Sequence, residues 1–179
     1  MLLLNRRGYV MAKKIALIKS KNSELVSVIE KYFKNKNVDE IEQKGIADNL
    51  SDYDFIVLTG FDDCIPMECG QAQIINIHPS LLPAFASSEA LKDSFSYGVK
   101  VGGLTVHKVE AGNFYGKIIA QYPVLIGLNT HFDEYCNEML KLAENFYPIV
   151  LDAVINDKVF DFADLLSNSC SGGCGGCHK

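Results

Sequence analysis

Residues 74–83, Ile-Ile-Asn-Ile-His-Pro-Ser-Leu-Leu-Pro, restrict the fold more than any other stretch of this chain. A β-branched run carries Asn76 and His78 and then leaves through Pro79 and Pro83, residues that cannot donate to a sheet ladder, so a strand must stop there. Short apolar runs bounded by breakers are the pattern of strands buried on both faces, and Val57 to Gly60 reads the same way. Because side chains alternate along a strand, Asn76 and His78 share one face. An amide that can donate to a carbonyl oxygen, beside an imidazole of the kind that titrates near neutral pH, suits acyl or formyl transfer. The same pair also suits a structural role, satisfying the backbone groups of a loop.

Elsewhere strand and helix patterns alternate, which argues for a mostly parallel sheet covered on both faces. Lys14 to Lys19 predicts the first strand, and Ser23 to Phe33 a helix with apolar residues at helical spacing and Ser23 as N-cap. Residues 34–44 are a charged span with no element assigned. Phe55 to Thr59 and Gln73 to Ile77 supply central strands, and Ser88 to Tyr97 a short helix. Val101 to Val109 and Lys117 to Val124 read as a strand pair. Asn129 to Asn156 reads as a long closing helix containing Pro148, a residue able to bend it.

At 179 residues and 48% hydrophobic, the chain can bury one full core, and nothing in it suggests a second domain. A net charge of −5 gives no electrostatic argument for nucleic acid or an anionic membrane as partner. The apolar run at Leu2 to Leu4 is too short for a signal peptide or a spanning helix, so the expected location is cytoplasmic. The expected organisation is a disordered or mis-started N-terminus at 1–12, with Met11 as an alternative start, a domain at 13–162 and a flexible Cys-rich tail at 163–179.

Asn76-Ile77-His78-Pro79-Ser80-Leu81-Leu82-Pro83 closely resembles the signature of the folate-dependent formyltransferases, nearest to the glycinamide ribonucleotide type. Gly103-Leu104-Thr105-Val106-His107 is similar to that family's next strand, Gly116 to Gln121 to its G-P-x-I-x-Q segment, and Tyr147-Pro148 to its late Tyr-Pro. The resemblance implies a single-domain α/β fold, a Rossmann-like, mostly parallel sheet with helices on both faces. It also implies transfer of a formyl group from 10-formyltetrahydrofolate to a small-molecule amine, as in purine biosynthesis. The residue matching Asn76 would hold the formyl oxygen as charge develops, and the one matching His78 would assist the amine's attack. Backbone at Asp63, Cys64 and Ile65 would meet the pterin.

Three departures accompany the resemblance. The family's catalytic aspartate, seven residues beyond the histidine matching His107, is here Phe114, which neither orients an imidazole nor carries a proton; a loop shifted by one residue would bring Asn113 inward instead. The phosphate loop S-G-x-G-S-N-L is here Lys19 to Leu25, without either glycine, which leaves Lys19, Lys21 and Ser23 as the anion-facing candidates. The strand ending A-G-[FY]-M-R-I-L is represented by Thr59 to Ile65, with Asp62 and Asp63 read as a helix-start or solvated loop feature.

The tail has no counterpart in that pattern. Cys170, Cys174, Cys177 and His178 offer three thiols and an imidazole on a glycine-rich segment, a set suited to zinc or an iron–sulfur cluster. Cys64, Cys69 and Cys136 read as small buried residues, and His107 as structural. Two functional readings therefore stand: a formyltransferase, or a catalytically impaired protein of that fold whose tail senses or delivers metal. Deformylation of the same folate is a close relative of the first. A second copy of the chain and a metal-delivery partner are the protein partners left open.

Overall fold

The computed structural model describes residues 13–18, 23–34, 36, 38, 40–59, 68–110 and 114–157 of the 179. The elements are β1 (Lys14–Ile18), α1 (Ser23–Phe33), β2 (Glu40–Lys44), β3 (Phe55–Leu58), β4 (Gln73–His78), α2 (Ala90–Tyr97), β5 (Val101–Val109), β6 (Ile118–Leu125) and α3 (Phe132–Ile155). They form one six-stranded sheet in the order β2-β1-β3-β4-β5-β6. The β2-β1-β3-β4 half is parallel, and β5 and β6 add two antiparallel strands beyond it. This is the mostly parallel, Rossmann-like α/β sheet expected from the sequence.

Alternation along the central strands separates two apolar layers. On one face Ile15, Leu17, Val57, Ile75, Ile77, Leu104 and Val106 pack against Leu25, Val26, Ile29 and Phe33 of α1 and against α3. Each such side chain taken out of water contributes about 1.5–3 kcal/mol, which far exceeds what helix propensity could supply for an eleven-residue segment. Leu91 and Phe95 of α2 lean on the same cluster. The opposite face carries Ala16, Ile18, Ile56, Leu58, Ile74 and Val109, capped by Leu50 with Tyr53, Cys69, Ala72 and Phe114 beside it. Among the described residues, then, all three helices serve one face, where the sequence led to helices on both, and loops rather than a helix cover the other.

The span 34–44 hides β2, which the sequence reading left unassigned. Its five residues, Glu-Ile-Glu-Gln-Lys, are half-exposed on a sheet edge, where charge protects against stray pairing and erases the apolar signal. α1 opens at Ser23 as expected. α2 begins two residues later than expected and stops at Gly98, whose φ of 83° is left-handed and whose N–H returns to the carbonyl of Phe95 at 3.0 Å. Tyr147 fixes the centre of the sheet from α3. The β3–β4 ladder stops at Val57 and Ile75, and there the fully buried hydroxyl of Tyr147 sits 3.0 Å from the carbonyls of both Leu58 and Ile75. Burial pushes that phenol's pKa well above its ordinary value, so it stays a donor.

None of the described helices is long and apolar enough to cross a membrane.

Candidate active site

The chain runs from β1 through α1 to β2 on one side, then returns to β3 on the other side of β1. Such a reversal opens a crevice at the carboxyl ends of the strands, where ligands bind in open α/β sheets. The hydroxyl of Thr59 closes the floor, donating to the carbonyl of Ile18 at 2.8 Å. Asn76 and His78 end β4 one strand further along. Their partners across the antiparallel ladder are His107 and Thr105, so four polar side chains share one face of the sheet, and all four are completely buried.

The Asn76 amide is fixed through His107. His107 Nδ1 lies 3.2 Å from the carbonyl of Lys108, an acceptor only, so that nitrogen carries a proton. In the neutral ring Nε2 then accepts, and it does so from Asn76 Nδ2 at 3.4 Å. The Asn76 Oδ1 points the other way and is buried with no hydrogen-bond partner among the described residues. A buried amide oxygen without a donor is costly unless a ligand or a water supplies one. His107 is thus structural in the sense expected, but what it positions is Asn76.

His78 is held from the loop that follows it. Its Nε2 donates to the carbonyl of Phe85 at 3.0 Å, which leaves Nδ1 as the basic nitrogen of the neutral ring. The loop itself is tied to β5 and β6. Thr105 Oγ1 donates to the carbonyl of Ser80 at 2.7 Å and accepts from the Leu82 N–H at 3.0 Å and from Gln121 Nε2 at 3.0 Å, which uses the whole capacity of one hydroxyl. Gln121 places its other proton on the carbonyl of Leu82 at 2.8 Å. Ser80 Oγ closes the turn on the carbonyl of Ala84 at 2.6 Å. Thr105 and Gln121 lie inside the segments quoted above, yet nothing in their spacing announces a shared loop, since both reach it across the sheet.

Aromatic rings roof this cluster. Tyr115 packs against His78 at 5.1 Å and against His107 at 6.0 Å between ring centroids. Phe114 meets His107 at 6.0 Å and leans on the second apolar layer. With Asn76 and His78 both buried, a substrate reaches them only by displacing part of what covers them. Cys69 and Cys136 are half-buried rather than buried, and burial raises the Cys136 thiol above its ordinary pKa, a weakly reactive state. Asn113, Asp63, Cys64, Ile65, Lys19, Lys21, Cys170, Cys174, Cys177 and His178 lie outside the described residues, as does the side chain of Ser23 and as do the segments 1–12 and 163–179.

Residues 9–151 match the model of a protein family described as formyl transferase. The phosphoribosylglycinamide formyltransferase of Bacillus subtilis is 38% identical over 109 residues, covering 59% of this chain and 56% of that protein. This chain therefore spans about half the length of that relative. Among solved structures, the phosphoribosylglycinamide formyltransferase of Bacillus halodurans superposes with a TM-score of 0.66 at 23% identity over 80% of this chain and 95% of that one. A formyltetrahydrofolate deformylase from Pseudomonas syringae superposes with a TM-score of 0.67 at 18% identity over 84% of this chain and 64% of that one. The two superpositions speak for the shared sheet, and the family match, which runs through the Asn76–His78 strand and the loop it enters, speaks for descent: this chain belongs to the formyl transferase family.

Proposed function

We propose that the protein transfers a formyl group from 10-formyltetrahydrofolate to an amine of the phosphoribosylglycinamide type. The observation that carries this reading is the pairing of an oriented amide with a tautomer-fixed imidazole at the end of β4, with Asn76 Oδ1 lacking a hydrogen-bond partner among the described residues. The amine nitrogen attacks the formyl carbon, and its electron pair displaces the carbonyl pair onto oxygen. The second proton of Asn76 Nδ2 serves that developing oxyanion, while Asn76 Oδ1, an acceptor, takes an N–H of the attacking amine. His78 Nδ1 takes the proton released from the attacking nitrogen and returns it to N10 of the folate as the C–N10 bond breaks.

Phe114 favours a second reading, a formyltransferase scaffold that turns over slowly or not at all, because its ring occupies the carboxylate's place in the sequence and packs as core. Purified full-length protein, given 10-formyltetrahydrofolate and phosphoribosylglycinamide, separates the two. Amine-dependent release of tetrahydrofolate that falls by about 10²–10⁴ in His78→Ala supports transfer. Absence of release above the uncatalysed rate rejects it in favour of the scaffold. Release that needs no amine identifies water as the acceptor.

A further inference from the structure

The loop after β4 holds a feature that the sequence does not announce. Phe85 has a φ of 53°, the left-handed region, which is steeply unfavourable for a bulky residue and persists only where the surroundings impose it. That conformation turns the Phe85 carbonyl inward. There it accepts from His78 Nε2 at 3.0 Å and from the Ser87 N–H at 2.9 Å, with Ser80 Oγ at 3.5 Å. The loop is not free to relax, because Thr105 and Gln121 hold it at Ser80 and Leu82.

We infer that the main-chain carbonyl of Phe85, set by the turn that Ser80 closes on the Ala84 carbonyl, orients the His78 imidazole, a task for which the resemblance leads one to expect a carboxylate. A carbonyl dipole can do half of what a carboxylate does. It fixes the ring and its tautomer, so that Nδ1 is always the basic nitrogen, and it strengthens its hydrogen bond when the ring becomes cationic. It cannot neutralise that cation or accept its proton. Ser80 and Phe85 are accordingly positioning residues, and Phe114 is released to pack as core. The inference deepens the reading of His78 as the group that receives the amine's proton, and rests on it for its kinetic consequence only.

The test reads the ring directly. In full-length protein labelled with ¹⁵N-histidine, long-range proton–nitrogen correlation reports the protonated nitrogen of each of the four histidines, and His78→Gln identifies the signal of interest. Above the ring's titration, His78 is expected as the Nε2–H tautomer. Ser80→Ala is expected to raise the Nδ1–H population and to lower kcat by about tenfold with KM within about twofold, and Ser80→Thr to restore both. An Nδ1–H tautomer in the wild type overturns the inference, as does a Ser80→Ala protein with unchanged ring signals and an unchanged pH–rate profile. Should the wild type show the expected tautomer but no formyl transfer, the orientation stands and the transferase reading falls.

Discussion

Thr105→Val is the sharpest test of how the site is built. The substitution keeps the shape of the side chain and removes only the hydroxyl, which is completely buried and makes three hydrogen bonds. Gln121 Nε2 retains its bond to Leu82, so its loss is partial. The Leu82 N–H and the Ser80 carbonyl are left without their partner. An unsatisfied buried group costs about 1–3 kcal/mol, and because these two sit in one turn that can shift toward water, the lower half of their sum applies, about 2–4 kcal/mol. That is a large share of the about 5–15 kcal/mol by which a domain is stable. In equilibrium urea unfolding, with a slope of about 2 kcal/mol per molar, the midpoint should fall by about 1–2 M at unchanged slope. Thr105→Ser, which retains the hydroxyl, should lose less than half as much. A Val variant as stable as the wild type, or a Ser variant as damaged as Val, would mean that the loop is held by something other than this hydroxyl.

Tyr147→Phe should cost about 1–3 kcal/mol, since two buried carbonyls lose a shared donor. The raised pKa of this phenol implies stability fully present below about pH 10, its unfolded value, and lost as pH rises beyond it, so the alkaline decline seen in urea titrations should be shallower in the variant. Phe114→Asp should not increase turnover: the ring it replaces packs against His107 and the apolar layer rather than against His78, and a carboxylate there lowers the urea midpoint instead. A tenfold gain in kcat/KM would show that a carboxylate at this position serves His78 after all. Gly102→Ala drives a methyl into the Tyr135 hydroxyl, which is buried beneath β5, and should reduce the thermal midpoint measurably in calorimetry.

Much of this arrangement is legible in the letters. Buried strands declare themselves by β-branched and apolar runs between breakers, and β3, β4 and β5 lie within a residue of where the sequence places them. The edge strand β2 escapes, because solvent on one side and charge on both flanks remove the pattern that marks its neighbours. That Asn76 and His78 share a face is read from alternation, and the resemblance is what singles them out. Their orientation is not so read, since it is set by contacts reaching across the sheet from His107 and Thr105, and pairing register between distant strands leaves no periodic trace. His131 likewise has no readable role in isolation: it precedes α3, and the Glu134 carboxylate accepts its N–H at 3.0 Å, a capping contact that depends on where the helix begins. Phe85 is the clearest limit. No property of a phenylalanine in sequence foretells a left-handed backbone.

One outcome of the ties among Ser80, Thr105 and Gln121 concerns kinship itself. The letters by which such a chain is assigned to its relatives record how a turn is tethered, whether or not a one-carbon unit ever crosses it. A descendant that abandoned the reaction would still gain by spelling Thr105 and Gln121, because erasing either loosens the end of a strand.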